Sequence, residues 1–182
     1  MKATGIVRRI DDLGRVVVPK EIRRTLRIRE GDPLEIFTDR EGEIILKKYS
    51  PIGELGQFAK QYADSITQVT GHIVAITDKD QFIAVSGPIK KDLVTKSISH
   101  ELEEVINERE NVLAAKEDKN FIRIMNEDES EFTYQVITPI ISEGDAIGSV
   151  IFLTKDGKTK FGELEIKLAS TAALFLGKQM EQ

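Results

Sequence analysis

Residues 5–20 read GIVRRIDDLGRVVVPK, residues 21–27 read EIRRTLR, and together they decide the fold of the first fifty residues. Short runs rich in Val and Ile, bounded by Asp and Gly, are typical of strands. We therefore predict strands over residues 4–10 and 14–18 and a small helical turn over residues 20–26. Further along the chain, strands are predicted over residues 34–38 and 43–48, with Gly42 available for a positive φ in the hairpin loop between them.

Positive charge is concentrated in this same part of the chain. Residues 1–29 contain nine Lys or Arg against three Asp or Glu, a net charge of +6, although the whole chain carries −5. Residues 1–50 together carry +3, so residues 51–182 carry −8. A concentrated basic end on an acidic protein typically binds an anionic partner, so the function is expected to lie in the first fifty residues.

Composition excludes several classes of protein. The chain has 182 residues, of which 40% are apolar and 31% charged, which is typical of soluble globular proteins. Its longest near-continuous apolar stretch, residues 146–153, is eight residues long, whereas a membrane-spanning helix needs about 20. The N-terminus lacks the apolar segment of a signal peptide, so we expect the protein to remain where it is made. The absence of cysteine excludes disulfides, thiolate zinc sites and cysteine nucleophiles.

Ser50 and Pro51 mark the boundary between two predicted domains, 1–50 and 51–182. Serine can cap a helix, and proline fits its first position because no N–H is needed there. Fifty residues without a metal or disulfide bury too little apolar surface to be stable alone, so we expect the first domain to dimerise. The shared core would be formed by ten apolar side chains: Ile6, Ile10, Val16, Val18, Ile22, Leu26, Leu34, Ile36, Ile44 and Leu46.

The second domain is predicted to be an antiparallel sheet flanked by terminal helices, an α+β arrangement. One helix begins after Ser50 and has an apolar face from Leu55 to Val69, and the last covers residues 161–180. Between them we predict a helix over residues 99–108, capped by Ser97 or Ser99. The predicted strands cover residues 72–77, 81–86, 121–125, 132–141 and 146–153.

Both terminal helices of the second domain have wide apolar faces. These faces either cover the sheet or pack partly against other subunits as a helix bundle. In the second case, the alanines at 169, 172 and 173 would allow helices to approach closely. Dimerisation through both domains would produce two different two-fold interfaces, which close naturally into a tetramer.

No catalytic site, cofactor or metal site is predicted. His72 and His100 are 28 positions apart and do not have the spacing of metal ligands, and no recognisable catalytic or phosphate-binding motif occurs. An acidic cluster lacks the glycine turn of a calcium loop and is interpreted as a solvated loop. A turn at 86–88 followed by Lys90 and Lys91 could contact an anion, but a plain turn is the simpler explanation. The acidic cluster consists of Glu127, Asp128, Glu129 and Glu131.

Residues 1–19, 21–26 and the closing segment 44–49 closely resemble the DNA-binding domain of the AbrB family of bacterial transition-state regulators. The whole chain, with a second α+β domain after that module, is similar to AbrB-type regulators of forespore transcription. The resemblance implies a swapped-hairpin β-barrel formed by a dimer, followed by a GAF-type domain. It further implies a cytoplasmic activator or repressor of sporulation genes that binds double-stranded DNA.

The resemblance assigns DNA contacts to Arg8, Arg15, Arg23 and Arg24, with Lys2, Arg9 and Lys20 as phosphate contacts. Arginine suits both tasks because its rigid fork of donors pairs with guanine or clamps a phosphate. Helical geometry predicts that Arg23 and Arg24 point in different directions, while Arg27 shares the face of Arg23. The alternative is a solvated surface whose basic side chains pair with Asp11, Asp12 and Glu21.

Two other functions stay open on the sequence alone. The second domain could sense an unidentified small molecule, with DNA binding as its output, or it could only drive oligomerisation. An AbrB-like module can also neutralise a protein partner in the manner of an antitoxin. That function predicts a short disordered tail, where this chain has a second folded domain.

Overall fold

The chain folds into two compact units, Met1–Tyr49 and Ser50–Gln182. The computed structural model describes residues 5–89, 93–126 and 132–181. We call the two units unit 1 and unit 2. Within these described residues, no helix is both long and apolar enough to cross a membrane.

Unit 1 contains one short helix and one β-hairpin. The helix is α1 (Lys20–Thr25), and the hairpin pairs β1 (Leu34–Thr38) with β2 (Ile44–Lys48) in antiparallel register. In the connecting loop, the Asp39 Oδ1 accepts hydrogen bonds from the backbone N–H groups of Glu41 and Glu43 at 3.0 and 2.9 Å. Gly42 has a φ of 85°, as the hairpin prediction requires. The predicted hairpin is therefore confirmed.

The two strands predicted before α1 are not present in the described part of a single copy. Residues 5–18 instead contain a tight turn, in which Asp11 N donates to Arg15 O at 3.0 Å and Gly14 N donates to Asp11 O at 3.0 Å. Gly14 has a φ of 77°, which its lack of a Cβ permits. The physical reason is that a strand needs a hydrogen-bonding partner, and in the described part of one copy residues 5–18 pair with no other strand.

The apolar side chains of unit 1 do not form a buried core in one copy. Of the residues described in this unit, only Pro19 is buried. Ile36 and Ile44, two members of the predicted shared core, are each 70% exposed, and Val18, Ile22 and Leu34 are half-buried. A single copy therefore leaves uncovered the surface that was expected to be its core.

Unit 2 is a five-stranded antiparallel sheet with helices on both faces, so the predicted mixed α+β class is confirmed. The strand order is β4-β3-β7-β6-β5. Its elements, in chain order, are α2 (Pro51–Glu54), α3 (Gly56–Thr70), β3 (Ile73–Asp78), β4 (Phe82–Ser86), α4 (His100–Glu108), β5 (Val112–Ala115), β6 (Tyr134–Ser142), β7 (Asp145–Thr154) and α5 (Glu163–Gln179).

Each face of the sheet has its own apolar core, because successive side chains of a strand point to opposite faces. On one face, Val74 and Phe152 pack with the small side chains of α3 and α5. On the other face, Ile73 and Ile151 pack with Leu102 of α4. The two terminal helices thus lie on the same side of the sheet.

The alanines of α5 face the protein's own sheet. Ala169, Ala172 and Ala173 are all buried in the core beneath α5. A Cβ placed on Gly177 would lie only 2.0 Å from the carbonyl oxygen of Ile141 in β6. The prediction that these alanines let helices of different subunits approach is therefore wrong, because their small size serves the close packing of α5 on β6.

Ser50 is the N-cap of the first helix of unit 2, the capping role that was predicted for it. Its hydroxyl oxygen accepts a hydrogen bond from Gly53 N at 3.1 Å, which caps α2, and Pro51 takes the first helical position. The same hydroxyl donates to the buried carboxylate of Asp78 at 2.8 Å. Ser99 is the cap of α4, accepting from Leu102 N at 3.0 Å.

The strand predicted over residues 121–125 does not form, and an edge strand occurs at Val112–Ala115 instead. A side chain bonds the backbone of Ile122, because the Gln135 amide donates to Ile122 O at 3.1 Å and accepts from Ile122 N at 2.7 Å. Ser99 N donates to Ile124 O at 3.0 Å. These contacts satisfy the groups that a neighbouring strand would otherwise bond, so the segment is held without joining the sheet.

Candidate nucleic-acid interface

The predicted DNA-contacting arginines all lie on the surface of unit 1. Arg8 lies in the exposed segment near the start of the described residues, and Arg15 lies at the end of the tight turn. Helix α1 carries Arg23 and Arg24, both exposed. Of the predicted phosphate contacts, Arg9 and Lys20 are also exposed, and Lys2 lies outside the described residues.

Arg15 is held by the acidic residue that starts its turn. The Oδ1 of Asp11 accepts hydrogen bonds from Leu13 N at 3.0 Å and Arg15 N at 2.7 Å, and its Oδ2 accepts from Arg15 Nε at 2.8 Å. The Arg15 side chain is nevertheless 70% exposed. The bond from the Arg15 backbone, followed by the bond from its guanidinium, lowers the pKa of Asp11.

Helix α1 orients its two arginines differently. Pro19 precedes the first helical residue, and Arg23 Nε donates back to Val18 O at 3.2 Å. Arg24 is the next residue and projects about 100° further round the helix axis. The helix ends at Thr25, and Arg27 has a φ of 53°, so the prediction that Arg27 shares a helical face with Arg23 is wrong.

The segment after α1 is fastened to the end of β2. Asp32 Oδ2 accepts from Arg29 N at 2.8 Å and pairs with Lys48 Nζ at 3.0 Å. Lys48 also donates to Arg27 O at 2.9 Å. Burial raises the pKa of Asp32, but the bonds from Arg29 and Lys48 outweigh this effect and the pKa is lowered. The half-buried Arg27 and Arg29 thus belong to the scaffold, a role that sequence reasoning missed.

Neither histidine is arranged as a metal ligand. His72 Nε2 lies 3.4 Å from Glu165 Oε1, and its ring packs on Phe161 with centroids 4.7 Å apart. His100 is exposed at the start of α4, 3.4 Å from Glu104. The acidic cluster at 127–131 and the lysine pair at 90–91 lie outside the described residues.

One carboxylate trio and one cleft were not anticipated. Asp39, Glu41 and Glu43 bring their carboxylates together on the exposed β1–β2 loop, where Asp39 is already bonded to the loop backbone. A cleft of about 480 Å³ opens in unit 2 beside His72 and Lys155. Among the residues that the structure describes, neither feature shows a buried polar group aimed at a ligand.

A family model described as "Stage V sporulation protein T C-terminal, transcription factor" matches residues 54–181. Stage V sporulation protein T of Bacillus subtilis (strain 168) is 57% identical over 182 residues, covering 100% of both chains. This chain belongs to the stage V sporulation protein T family. The family is one of transcription factors and not of enzymes, so the expectation that the chain is not an enzyme is confirmed.

The first part of the chain has its own relatives. A model described as "Antidote-toxin recognition MazE, bacterial antitoxin" matches residues 7–54. The transition state regulatory protein AbrB of Bacillus subtilis (strain 168) is 67% identical over 51 residues, which cover 28% of this chain and 52% of that protein. The predicted resemblance of the first part to the AbrB family is therefore confirmed.

The fold of the second part also has a solved counterpart. The second GAF domain of DevS from Mycobacterium smegmatis is similar with a TM-score of 0.54, covering 72% of this chain and 94% of that one at 10% identity. At this identity the likeness concerns the fold alone, and it confirms the GAF-like prediction. The protein is thus a transcription regulator of a sporulation family, with an AbrB-like first part and a GAF-like second part.

Proposed function

We propose that this protein regulates sporulation genes in the forespore cytoplasm by binding double-stranded DNA through unit 1. The observation that carries the proposal is the exposed set of arginines on a small unit whose apolar side chains are left uncovered by one copy. Guanidinium groups bind phosphates and read guanine in the major groove. The proposed contacts are Arg8, Arg15, Arg23 and Arg24, with Lys2, Arg9 and Lys20 on phosphates.

A second copy of unit 1 is the proposed cover for its apolar surface. Ile6, Ile10 and Val16 lie exposed in the segment that forms no strand alone. Pairing this segment with that of a second copy would satisfy its backbone and bury its side chains, as in a swapped-hairpin barrel. The dimer would then present the arginine set twice, related by a two-fold axis, and fit two half-sites on DNA.

Unit 2 is proposed to join two such dimers into a tetramer. Its terminal helices keep apolar side chains on their outer faces, with Val69 at 86%, Leu164 at 65% and Leu174 at 60% exposure. Beside them, the half-buried Phe58 and Tyr62 form an aromatic cluster with Phe175, which is 39% exposed, and the ring centroids are 5.4–6.4 Å apart. Two DNA-binding dimers on one tetramer would strengthen binding to spaced sites by avidity.

The decisive experiment measures DNA binding by the full chain across a salt series. If the bound protein neutralises six to ten phosphates, its affinity for DNA should fall by a factor of roughly 10³–10⁵ when the salt concentration rises from 50 to 200 mM. Arg23→Ala should weaken binding strongly, whereas Arg109→Ala, an exposed arginine of unit 2, should leave it unchanged. Equal binding by both variants would refute the assignment of the interface to unit 1.

The mass of the assembly in solution, together with the response to small molecules and to a protein partner, separates the remaining functions. A tetramer that binds DNA without any additive supports oligomerisation as the role of unit 2. A small molecule that changes DNA affinity would instead establish sensing, and DNA would then change the affinity for that molecule by the same factor. Failure to bind DNA at low salt, together with binding of a protein partner, would favour the antitoxin-like function.

A further inference from the structure

One acidic side chain of unit 1 lies among the basic side chains that are proposed to bind DNA. Asp11 lies in sequence between Arg8 and Arg15, within the proposed DNA-binding set. Its pKa is lowered by its contacts with Arg15, so it is ionised at neutral pH. A carboxylate repels the DNA phosphates and so opposes binding, and we therefore expect Asp11 to contribute to DNA recognition in another way.

The two carboxylate oxygens of Asp11 perform different tasks. Oδ1 accepts the backbone N–H groups of Leu13 and Arg15 and so closes the turn. Oδ2 accepts only the guanidinium Nε of Arg15, at 2.8 Å. Asn would retain an oxygen for the turn, but would lose the charge and the acceptor that hold the guanidinium.

The contact through Nε leaves the other edge of the guanidinium available. In the described part of the chain, the Arg15 guanidinium makes no further hydrogen bond or ion pair, and its side chain is 70% exposed. Both Nη groups can therefore donate outward in the fork that pairs with O6 and N7 of guanine. Fixing Nε reduces the rotamer freedom that a long side chain would lose on binding.

We propose that Asp11 is a positioning residue that orients the Arg15 guanidinium for reading a base in DNA. The inference rests on the proposed DNA-binding function and names a residue on which its sequence preference depends. Asp11 lowers general attraction to DNA through its charge and raises discrimination between sequences through its geometry. Its removal should therefore affect specific and non-specific binding in opposite directions.

Two isosteric variants separate geometry from charge. Asp11→Asn removes the contact with Arg15 and one negative charge. Asp12→Asn removes the same charge from the neighbouring residue, whose exposed side chain makes no hydrogen bond or ion pair with the residues described. Any difference between them then reports the Asp11–Arg15 contact and not the net charge.

The probes are two duplexes of equal length and composition. One is the highest-affinity duplex that the wild-type full chain selects from a random pool, and the other has the same bases in scrambled order. The measured quantity is the ratio of the two affinities at several salt concentrations. For Asp11→Asn we expect the ratio to fall about fivefold or more, the lower end of what one bidentate arginine–guanine pair contributes.

Asp12→Asn should keep the wild-type ratio while both affinities rise slightly. A wild-type ratio in Asp11→Asn, or an equal fall in both variants, would overturn the positioning role. Binding by the wild type with no preference for the selected duplex would overturn it as well, while leaving DNA binding itself in place. No DNA binding by the wild type at low salt would instead reject the proposed function.

A double-mutant cycle protects the test against a purely structural effect of Asp11. Lysine at position 15 keeps the charge but lacks Nε and the fork, so Asp11→Asn should change the ratio no further in an Arg15→Lys chain. A fall of the same size in that background would show that Asp11 supports the turn and does not orient Arg15. Thermal unfolding of each variant, compared with that of the wild type, tests whether the variant is as stably folded as the wild type.

Discussion

Replacing Gly177 by alanine tests how closely α5 packs on the sheet. The added Cβ would stand 2.0 Å from Ile141 O and 3.1 Å from Ile141 C. An ordinary close carbon–oxygen contact is about 3.3 Å, so α5 and β6 would have to separate by roughly 1.3 Å. No flexible side chain can yield here, because the obstacle is the backbone of a central strand.

The expected cost follows from that separation. A radial gap of about 0.5–1 Å already forfeits a quarter to a half of a van der Waals contact, and α5 buries Ala169, Ala173 and Leu176 along this interface. Overpacking of this kind costs roughly 3 kcal/mol, whereas alanine regains up to about 1 kcal/mol of helix propensity. We expect a net loss of about 2 kcal/mol, which for a unit of this size lowers the melting temperature by roughly 4–8 °C.

Thermal unfolding followed by circular dichroism measures this change in the full chain. The matched control is Gly157→Ala, because a Cβ at Gly157 has no heavy atom within 4 Å. The control should melt with the wild type. If Gly177→Ala melts no lower than Gly157→Ala, α5 has room to spare over β6, and the small residues of α5 do not serve close packing.

Three further variants give clear expectations. Asp32→Asn should destabilise unit 1 by about 1 kcal/mol at neutral pH in urea unfolding. Because the pKa of Asp32 is lowered in the folded state, its contribution to stability is complete above the pKa of the unfolded state and is lost as the pH falls through the pKa of the folded state. The difference in stability between wild type and variant should therefore disappear in acid. Gln135→Ala should leave both backbone groups of Ile122 without their partners, cost roughly 2–3 kcal/mol, and speed hydrogen exchange at the Ile122 amide; unchanged exchange would contradict the contact. Leu164→Asp combined with Leu174→Asp should convert the proposed tetramer into a dimer in sedimentation equilibrium, and an unchanged mass would move the interface away from the outer face of α5.

The short elements of unit 1 show why local pattern and structure can disagree. The β1–β2 hairpin could be predicted because its partner strand lies only a few residues away and Gly42 supplies the turn. Residues 5–18 have strand composition too, yet one copy offers them no partner. Strand formation depends on pairing as much as on composition, so the same signal succeeded in one place and failed in the other.

The strand prediction for residues 121–125 was wrong for a different reason. Their composition resembles a strand, but Gln135 and Ser99 bond their backbone through contacts between distant parts of the chain. The short run at Val112–Ala115 joined β6 and became the edge strand in their place. Competition between side-chain and strand partners for one backbone is decided by tertiary packing, which no local pattern contains.

What the sequence determined by itself is local in origin: the basic first part, the cap at Ser50, the amphipathic helices and the arginines proposed for DNA. The first three follow from side-chain charge, period and capping chemistry, which act over a few residues, whereas the arginine contacts are what the resemblance to the AbrB family implies. The tertiary structure alone decided that the α5 alanines face the sheet and that Arg27 and Arg29 belong to the scaffold. The contact of Asp11 with Arg15 is local in sequence, but it was visible only in the structure, because it depends on the backbone geometry of the turn at Gly14.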